Sequence, residues 1–398
     1  MRIKLFFLVA FGLPVFRSLA QENMLSKSDM VTLDFHILAG KKQQLRSGDK
    51  ALTPAYRQLL SDADKLLSFK PVSVMDKTDV PPSGDKHDYM SIAPYFWPDS
   101  SKPGGLPYVN RDGLVNPEVR KYTDKTNLPA LSYDVYLLSL AYYYSGDEKY
   151  ARHAATLIQV WFLDTATKMN PNLNYGQAVK GVTEGRSYGL IDSRFFIYII
   201  DGIRLLQPSP AWGAARQTGM KAWFAQFLDW MQTNELGVDE MNAKNNHGVW
   251  YDAQRLSMAL FLDSTDLANR IVARAASRLD EESDNRGFFP LELARTTSLH
   301  YSVFILHAFF IIAQLSEETK VHLWTLTTPT GKSLRKSFEA ILPYLDKTQQ
   351  WTGPQITQFN FNNAVPVLWR GITHYDCRVC LSAVRAVDSS DASLINLL

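Results

Sequence analysis

Ala130-Leu-Ser-Tyr-Asp-Val-Tyr-Leu-Leu-Ser-Leu-Ala-Tyr-Tyr-Tyr-Ser145, the turn Gly146-Asp147, and Glu148-Lys-Tyr-Ala-Arg-His-Ala-Ala-Thr-Leu-Ile-Gln-Val-Trp-Phe-Leu163 together read as two helices and a tight connection. In the first arm Leu131, Val135, Leu138 and Tyr142 recur at intervals of three and four residues, which puts them on one helical face. The second arm follows after only two residues, so the pair is an antiparallel αα-hairpin. The same periodicity predicts helices over 50–68, 194–206, 211–233, 249–262, 266–281, 298–315, 333–346 and 375–387. No strand-like alternation of comparable length competes with them. The class is all-α.

Repeated hairpins in one chain build either an open solenoid or a closed double ring, an (α/α) toroid. A solenoid carries a repeat of fixed period, and none is present, so the toroid is the expected architecture. Two long segments, 71–128 and 169–193, are rich in Gly, Pro, Asn and Tyr and exceed what a connector needs. Their aromatic residues (Tyr89, Tyr95, Phe96, Trp97, Tyr108, Tyr175, Tyr188) point to ordered, functional loops.

The chain has 398 residues, long enough for two domains or one large barrel. Residues 1–20 combine Arg2 and Lys4, an apolar run from Leu5 to Phe16, and Ser18-Leu19-Ala20, the pattern of a cleaved export signal. The expectation is a single toroid domain over 21–398, periplasmic or secreted, monomeric, and with no later apolar run of membrane-spanning length. A net charge of +2 is compatible with an acidic ligand without requiring one, and no nucleic-acid partner is expected. Cys377 and Cys380 stand in an apparently helical stretch and read as buried or incidental thiols, not a metal site or disulfide framework.

Chemistry concentrates in two stretches, Asn245-Asn-His-Gly-Val-Trp250 and Glu292-Leu-Ala-Arg-Thr-Thr-Ser-Leu-His-Tyr301. Together they offer an amide, an imidazole, a guanidinium and a phenol. That set suits β-elimination beside a sugar carboxylate, which needs donors on the carboxylate, a base for the C5 proton and an acid for the departing O4. Asn246 and Arg295 are the candidate neutralisers, His247 the base, and Tyr301 the acid, or both acid and base when proton and leaving group share a sugar face. Arg295 is expected in the turn before the helix bearing Tyr301, where a nearby cation would lower the phenol's proton affinity. Each residue also has a structural reading: Asn245 or Asn246 capping the helix, His247 as an interior imidazole, Tyr301 as packing.

Several blocks resemble the alginate lyase family of bacterial polysaccharide lyases. They are His87-Asp-Tyr-Met-Ser-Ile-Ala-Pro-Tyr95-Phe-Trp97-Pro-Asp, Gly105-Leu-Pro-Tyr-Val-Asn-Arg-Asp-Gly113-Leu-Val-Asn-Pro-Glu118, Glu184-Gly-Arg186-Ser-Tyr188-Gly-Leu-Ile-Asp192-Ser-Arg194, the Asn-Asn-His segment, and Pro290 to Ser302. The resemblance implies an incomplete (α/α) toroid with a groove across one end, Asn246, His247, Arg295 and Tyr301 as the catalytic set, and no metal or cofactor. The spacing of Arg and Tyr departs from the better-known branch of that family. The implied partner is an anionic polysaccharide, alginate or a related polyuronate, cleaved to unsaturated ends. Tyr95, Trp97 and Tyr188 are expected to stack on sugars, and His87, Arg186 and Arg194 to pair with carboxylates. Tyr89, Asn245, Glu292 and His300 complete the expected substrate-binding set. Two other readings remain: a glycoside hydrolase on the same scaffold, which needs a carboxylate pair drawn from Glu184, Asp192, Glu240 and Glu292, and a noncatalytic glycan-binding protein.

Overall fold

The computed structural model describes residues 34–387 and 389–398; the expected export signal at 1–20 lies outside them. Its main helices are α1 (Phe35–Arg46), α2 (Thr53–Leu66), α3 (Thr123–Ser145), α4 (Glu148–Ile158), α5 (Phe196–Leu206), α6 (Ala214–Thr233), α7 (Glu235–Asn242), α8 (Asn246–Phe261), α9 (Thr265–Glu282), α10 (Ser298–Leu315), α11 (Leu334–Leu345), α12 (Val365–Tyr375) and α13 (Arg378–Val387). The hairpin at 130–163 forms as read. Gly146 takes the left-handed conformation (φ 73°) that ends α3, its N–H reaching Tyr142 O at 2.7 Å, and the Asp147 side chain accepts from Lys149 N–H to start α4. Helix α3 starts at Thr123, seven residues before the predicted start, because Pro129 is accommodated inside it. Helix α4 ends at Ile158, and Gln159–Leu163 continues as a wider π turn.

Burial separates an inner ring from an outer one. Fourteen of the sixteen α8 residues and fifteen of the eighteen α10 residues are buried, against six of eighteen in α9. The inner helices α3, α5, α8, α10 and α12 pack each on the next in that order, while α2 and α4 lie outside α3, α9 outside α8, α11 outside α10 and α13 outside α12. The result is an incomplete (α/α) toroid around a continuous apolar core. The structure corrects the reading that no later segment has membrane-spanning character. The stretch Ser298–Glu318 is long and apolar enough by composition, yet 83% of its most apolar window is buried inside the fold, as an inner-ring helix requires.

Three helices escaped the periodicity reading: α1, α7 and α12. The helix expected over 375–387 is broken at Asp376, which adopts φ 51°. Just past that break, Cys377 before the first residue of α13 and Cys380 in its first turn form a disulfide with Cα atoms 5.3 Å apart, which overturns their assignment as free thiols. Both cysteines lie on the α13 side of Asp376, three residues apart, with Cys377 outside the helix and its Cα within disulfide reach of Cys380.

The two long segments are ordered and carry the strands. β1 (Met90–Ile92) pairs in parallel with β4 (Tyr175–Ala178), and β2 (Phe96–Trp97) pairs antiparallel with β3 (Val109–Asn110). These short pairings lay the loops over one end of the inner ring.

Candidate active site

Between those loops and the inner helices opens a cleft of about 800 Å³, lined by Tyr95, Asp112, Lys125, Gln177, Arg186, Tyr188, Arg194, Asn245, Asn246, His247, Arg295, His300 and Tyr301 among others. The four expected catalytic residues share this one cavity. It is built in two halves.

The first half is the N-terminus of α8. Asn245 caps the helix, its side chain accepting from His247 N–H at 3.0 Å, and it lines the cleft as well. Thus the capping and binding readings fit the same residue. The His247 ring nitrogen Nδ1 lies 2.6 Å from Glu240 Oε1, on the buried end of α7. With Glu240 accepting the Nδ1 proton, a neutral imidazole keeps its lone pair on Nε2, the form a base needs. Next in the chain, Gly248 cannot carry a side chain. A Cβ there would sit 2.1 Å from Ala243 O and 2.5 Å from Arg278 Nη1. That guanidinium, fixed by Asp252 at 2.7 Å and Glu282 at 2.7 Å, donates to Ala243 O at 2.6 Å and to Met241 O, gripping the segment that delivers Asn245 to His247.

Glu292, predicted to touch substrate, is instead buried behind this half. It accepts from Asn246 N–H at 2.6 Å and from Asn246 Nδ2 at 3.0 Å through each carboxylate oxygen. Asn246 is therefore held by its amide nitrogen, not with that nitrogen free for a ligand.

The second half is the approach to α10. Arg295 does lie in the turn before the helix. Its guanidinium grips Asp112 through two nitrogens, one at 3.1 Å, and passes 3.6 Å over the Tyr301 ring centre. Thr296 joins Asp112 through its hydroxyl at 3.0 Å, and Gly113 (φ 78°) lets the loop close on it, since a Cβ there would meet Thr296 Oγ1 at 2.5 Å. The Tyr301 hydroxyl lies 2.8 Å from that of Tyr95, which contacts the candidate acid directly. The expected lowering of the Tyr301 proton affinity is reversed. Burial raises it well above the ordinary phenol value and Tyr95 adds to this, while Arg295, already neutralised by Asp112, offsets only part. Tyr301 is thus protonated through the neutral range, as an acid should be. His300, the neighbouring cleft residue, stacks on Phe304, and burial followed by the charges of Arg194 and Arg295 disfavours its protonation.

Beneath the cleft Asp192 gathers Lys125, Tyr89 (3.1 Å), Ser91 (2.8 Å) and Gln177 (3.2 Å). Burial alone would raise its carboxyl, but Lys125 and these hydrogen bonds outweigh that and hold it below its ordinary value. Tyr89 is wholly buried and serves this hub, so it is not on the cleft wall. His87 bonds Lys168 O at 2.6 Å and Trp97 bonds Leu114 O at 2.9 Å; both anchor loops away from the cleft lining. Tyr188 does line the cleft, with His247 stacked on it at 4.2 Å and Arg186 4.9 Å from its ring centre. Arg186 bonds Gln177 Oε1 at 2.9 Å and Arg194 bonds Ile191 O at 2.9 Å. Among the described residues neither has a carboxylate at ion-pair distance, so both charges are available to an anion.

The sequence reading missed Asp112, Lys125 and Gln177 as site residues and weighed Glu240 only as half of a carboxylate pair. Asp112 stood in the quoted block beside Gly113, but nothing local tied it to a guanidinium 183 residues away.

The alginate lyase family's sequence model matches residues 73–351. A crystal structure of an alginate lyase from Bacteroides ovatus is similar over 93% of this chain and 98% of its own, with 38% identity and a TM-score of 0.87. Alginate lyase A1-III from Sphingomonas species A1 shares the fold at 15% identity over 90% of this chain and 92% of its own, TM-score 0.58. A histidine-to-alanine variant of A1-III complexed with a tetrasaccharide aligns at 14% identity over 89% of this chain and 90% of its own, TM-score 0.59. A search of curated proteins finds no match.

Proposed function

The chain belongs to the alginate lyase family and is a polysaccharide lyase, and from that premise we propose that it cleaves a polyuronate, alginate foremost, by metal-independent β-elimination. The observation that carries this reading is the convergence of His247, with Nδ1 secured by Glu240, and Tyr301, held protonated, on one cleft that also presents Arg186 and Arg194, which have no carboxylate at ion-pair distance among the described residues.

In this reading Arg186 and Arg194, which have no carboxylate at ion-pair distance among the described residues, draw uronate carboxylates into the cleft, while Arg295 stays paired with Asp112 beside Tyr301. With the carboxylate charge offset, the C5 hydrogen becomes acidic. His247 Nε2 takes that proton, the C4–C5 double bond forms as the C4–O4 bond breaks, and the Tyr301 hydroxyl gives its proton to O4. The proton then passes from the imidazolium back to the phenolate through water. Where C5–H and O4 lie on one face of the sugar, the protonated Tyr301 remains the acid and does not also take the C5 proton.

The hydrolase reading requires two carboxylic groups flanking the bond. Of its candidates, Asp192, Glu240 and Glu292 are buried and engaged with Lys125, His247 and Asn246, and Glu184 is off the cleft wall. Asp112 does line the cleft, paired with Arg295. This arrangement favours elimination. Export is part of the proposal, and the Cys377–Cys380 disulfide suits an oxidising compartment. The purified protein should release ultraviolet-absorbing unsaturated ends from polymannuronate, polyguluronate or glucuronan. Saturated reducing ends, or no product from any of the three, would refute the proposal.

A further inference from the structure

Asn246 opens α8 with its side chain wholly buried, and its hydrogen bonds are the wrong way round for a carboxylate clamp. Glu292 takes both the backbone N–H and the Nδ2 group, while Oδ1 is buried and has no partner among the described residues. A carboxylate only accepts hydrogen bonds, so an ionised Glu292 dictates which end of the amide it holds. The end left over is an acceptor. Asn246 borders the cleft; a buried acceptor without a donor is itself unfavourable, and an amide oxygen beside a cleft that receives uronates repels their carboxylates.

Both conflicts disappear if Glu292 carries a proton and the amide turns over. The Glu292 O–H then donates to Asn246 Oδ1, the Asn246 backbone N–H keeps the other Glu292 oxygen, and Nδ2 faces the cleft as a donor. We infer that Glu292 is a proton-linked positioning residue: a uronate carboxylate arriving beside Asn246 draws one proton from solvent onto Glu292 and reverses the amide, so that its NH₂ group meets the substrate. The inference rests on the polyuronate reading above.

The surroundings suit this exchange. Burial raises the Glu292 carboxyl above its ordinary value, and the Asn246 donors, Arg295 and His247 pull the other way without winning. Glu282 at the end of α9 adds a like charge, shared with Arg278, and the charge of Arg295 is shared with Asp112. A substrate carboxylate contributes a further negative charge and favours the protonated acid.

The test uses the full chain carrying Tyr301→Phe, which should bind without turnover, and a saturated oligouronate titrated calorimetrically in buffers of different ionisation enthalpy. Binding is expected to take up close to one proton, with Kd weakening by up to about tenfold per pH unit above the Glu292 titration. Adding Glu292→Gln, whose amide can donate to Oδ1 as the protonated acid would, should abolish the uptake and flatten the pH dependence to within about threefold. A second reading needs no variant at 292: a carboxylic-acid infrared band should appear on binding and shift when the protein is labelled with ¹³C. Binding without proton uptake, without that band, or with an unchanged pH slope after Glu292→Gln would overturn the inference and leave the polyuronate reading intact. No binding of any oligouronate by the Tyr301→Phe protein would overturn both.

Discussion

The two halves of the cleft are held in opposite ways. The α8 half takes its order from buried charge at the helix start: Glu240 behind His247, Glu292 behind Asn246, and Arg278 clasping the preceding backbone. The α10 half takes its order from loops laid across the barrel end, Asp112 reaching Arg295 and Tyr95 reaching Tyr301 across 183 and 206 residues of sequence. A base must be delivered in one tautomer and one orientation, which a buried carboxylate behind the ring enforces. An acid must give up its proton to an extended chain that enters and leaves, and a wall built from loops can admit that chain. The difference divides framework from gate.

The largest effect should come from Tyr301→Phe, which removes the donated proton and keeps the ring under Arg295. Turnover should fall by about 10³-fold or more with little change in oligouronate affinity, measured by ultraviolet assay and calorimetry. Retained turnover would take the acid away from the loop-built half. Glu240→Gln should lower kcat by about 10²-fold, because an amide in that place no longer fixes the Nδ1–H tautomer of His247. An unchanged kcat would mean that the imidazole needs no support from behind, and the contrast between the halves would lose its basis.

Gly248→Ala tests the framework through stability. The added methyl meets backbone oxygen and guanidinium where no flexible atom can yield, so thermal unfolding should report a loss of about 1–3 kcal/mol. The smallest effect should be that of Tyr95→Phe. It deletes one hydroxyl contact at 2.8 Å on the loop side, and kcat should change by only about threefold to tenfold, with the unfolding midpoint unmoved within error. A large loss of stability there would show that the loops brace the barrel as well as covering it.

Helices and their faces were legible along the chain because burial repeats with the helical period: the hairpin at 130–163 and the helix 298–315 stand where the pattern puts them. Where a local signal misled, the reason is also local. Pro129 was tolerated inside a helix, and Asp376 bent one that looked continuous, leaving Cys377 outside α13 and disulfide-bonded to Cys380 within it. The site was legible in part. Asn245, Asn246 and His247 occupy adjacent positions at a helix start, and Arg295 with Tyr301 flanks another, so two compact motifs named both halves.

What the order of residues determined, then, is which groups are present and which helix end each one occupies, since periodicity and capping act over a few residues. Only the folded chain decided what stands behind them. It kept Glu292 and Tyr89 off the cleft wall, set Glu240 on His247, paired Arg295 with Asp112, and raised the proton affinity of Tyr301 where a neighbouring cation alone would have lowered it. Burial and long-range ion pairing govern those outcomes, and both are properties of three-dimensional packing that no short window of sequence contains.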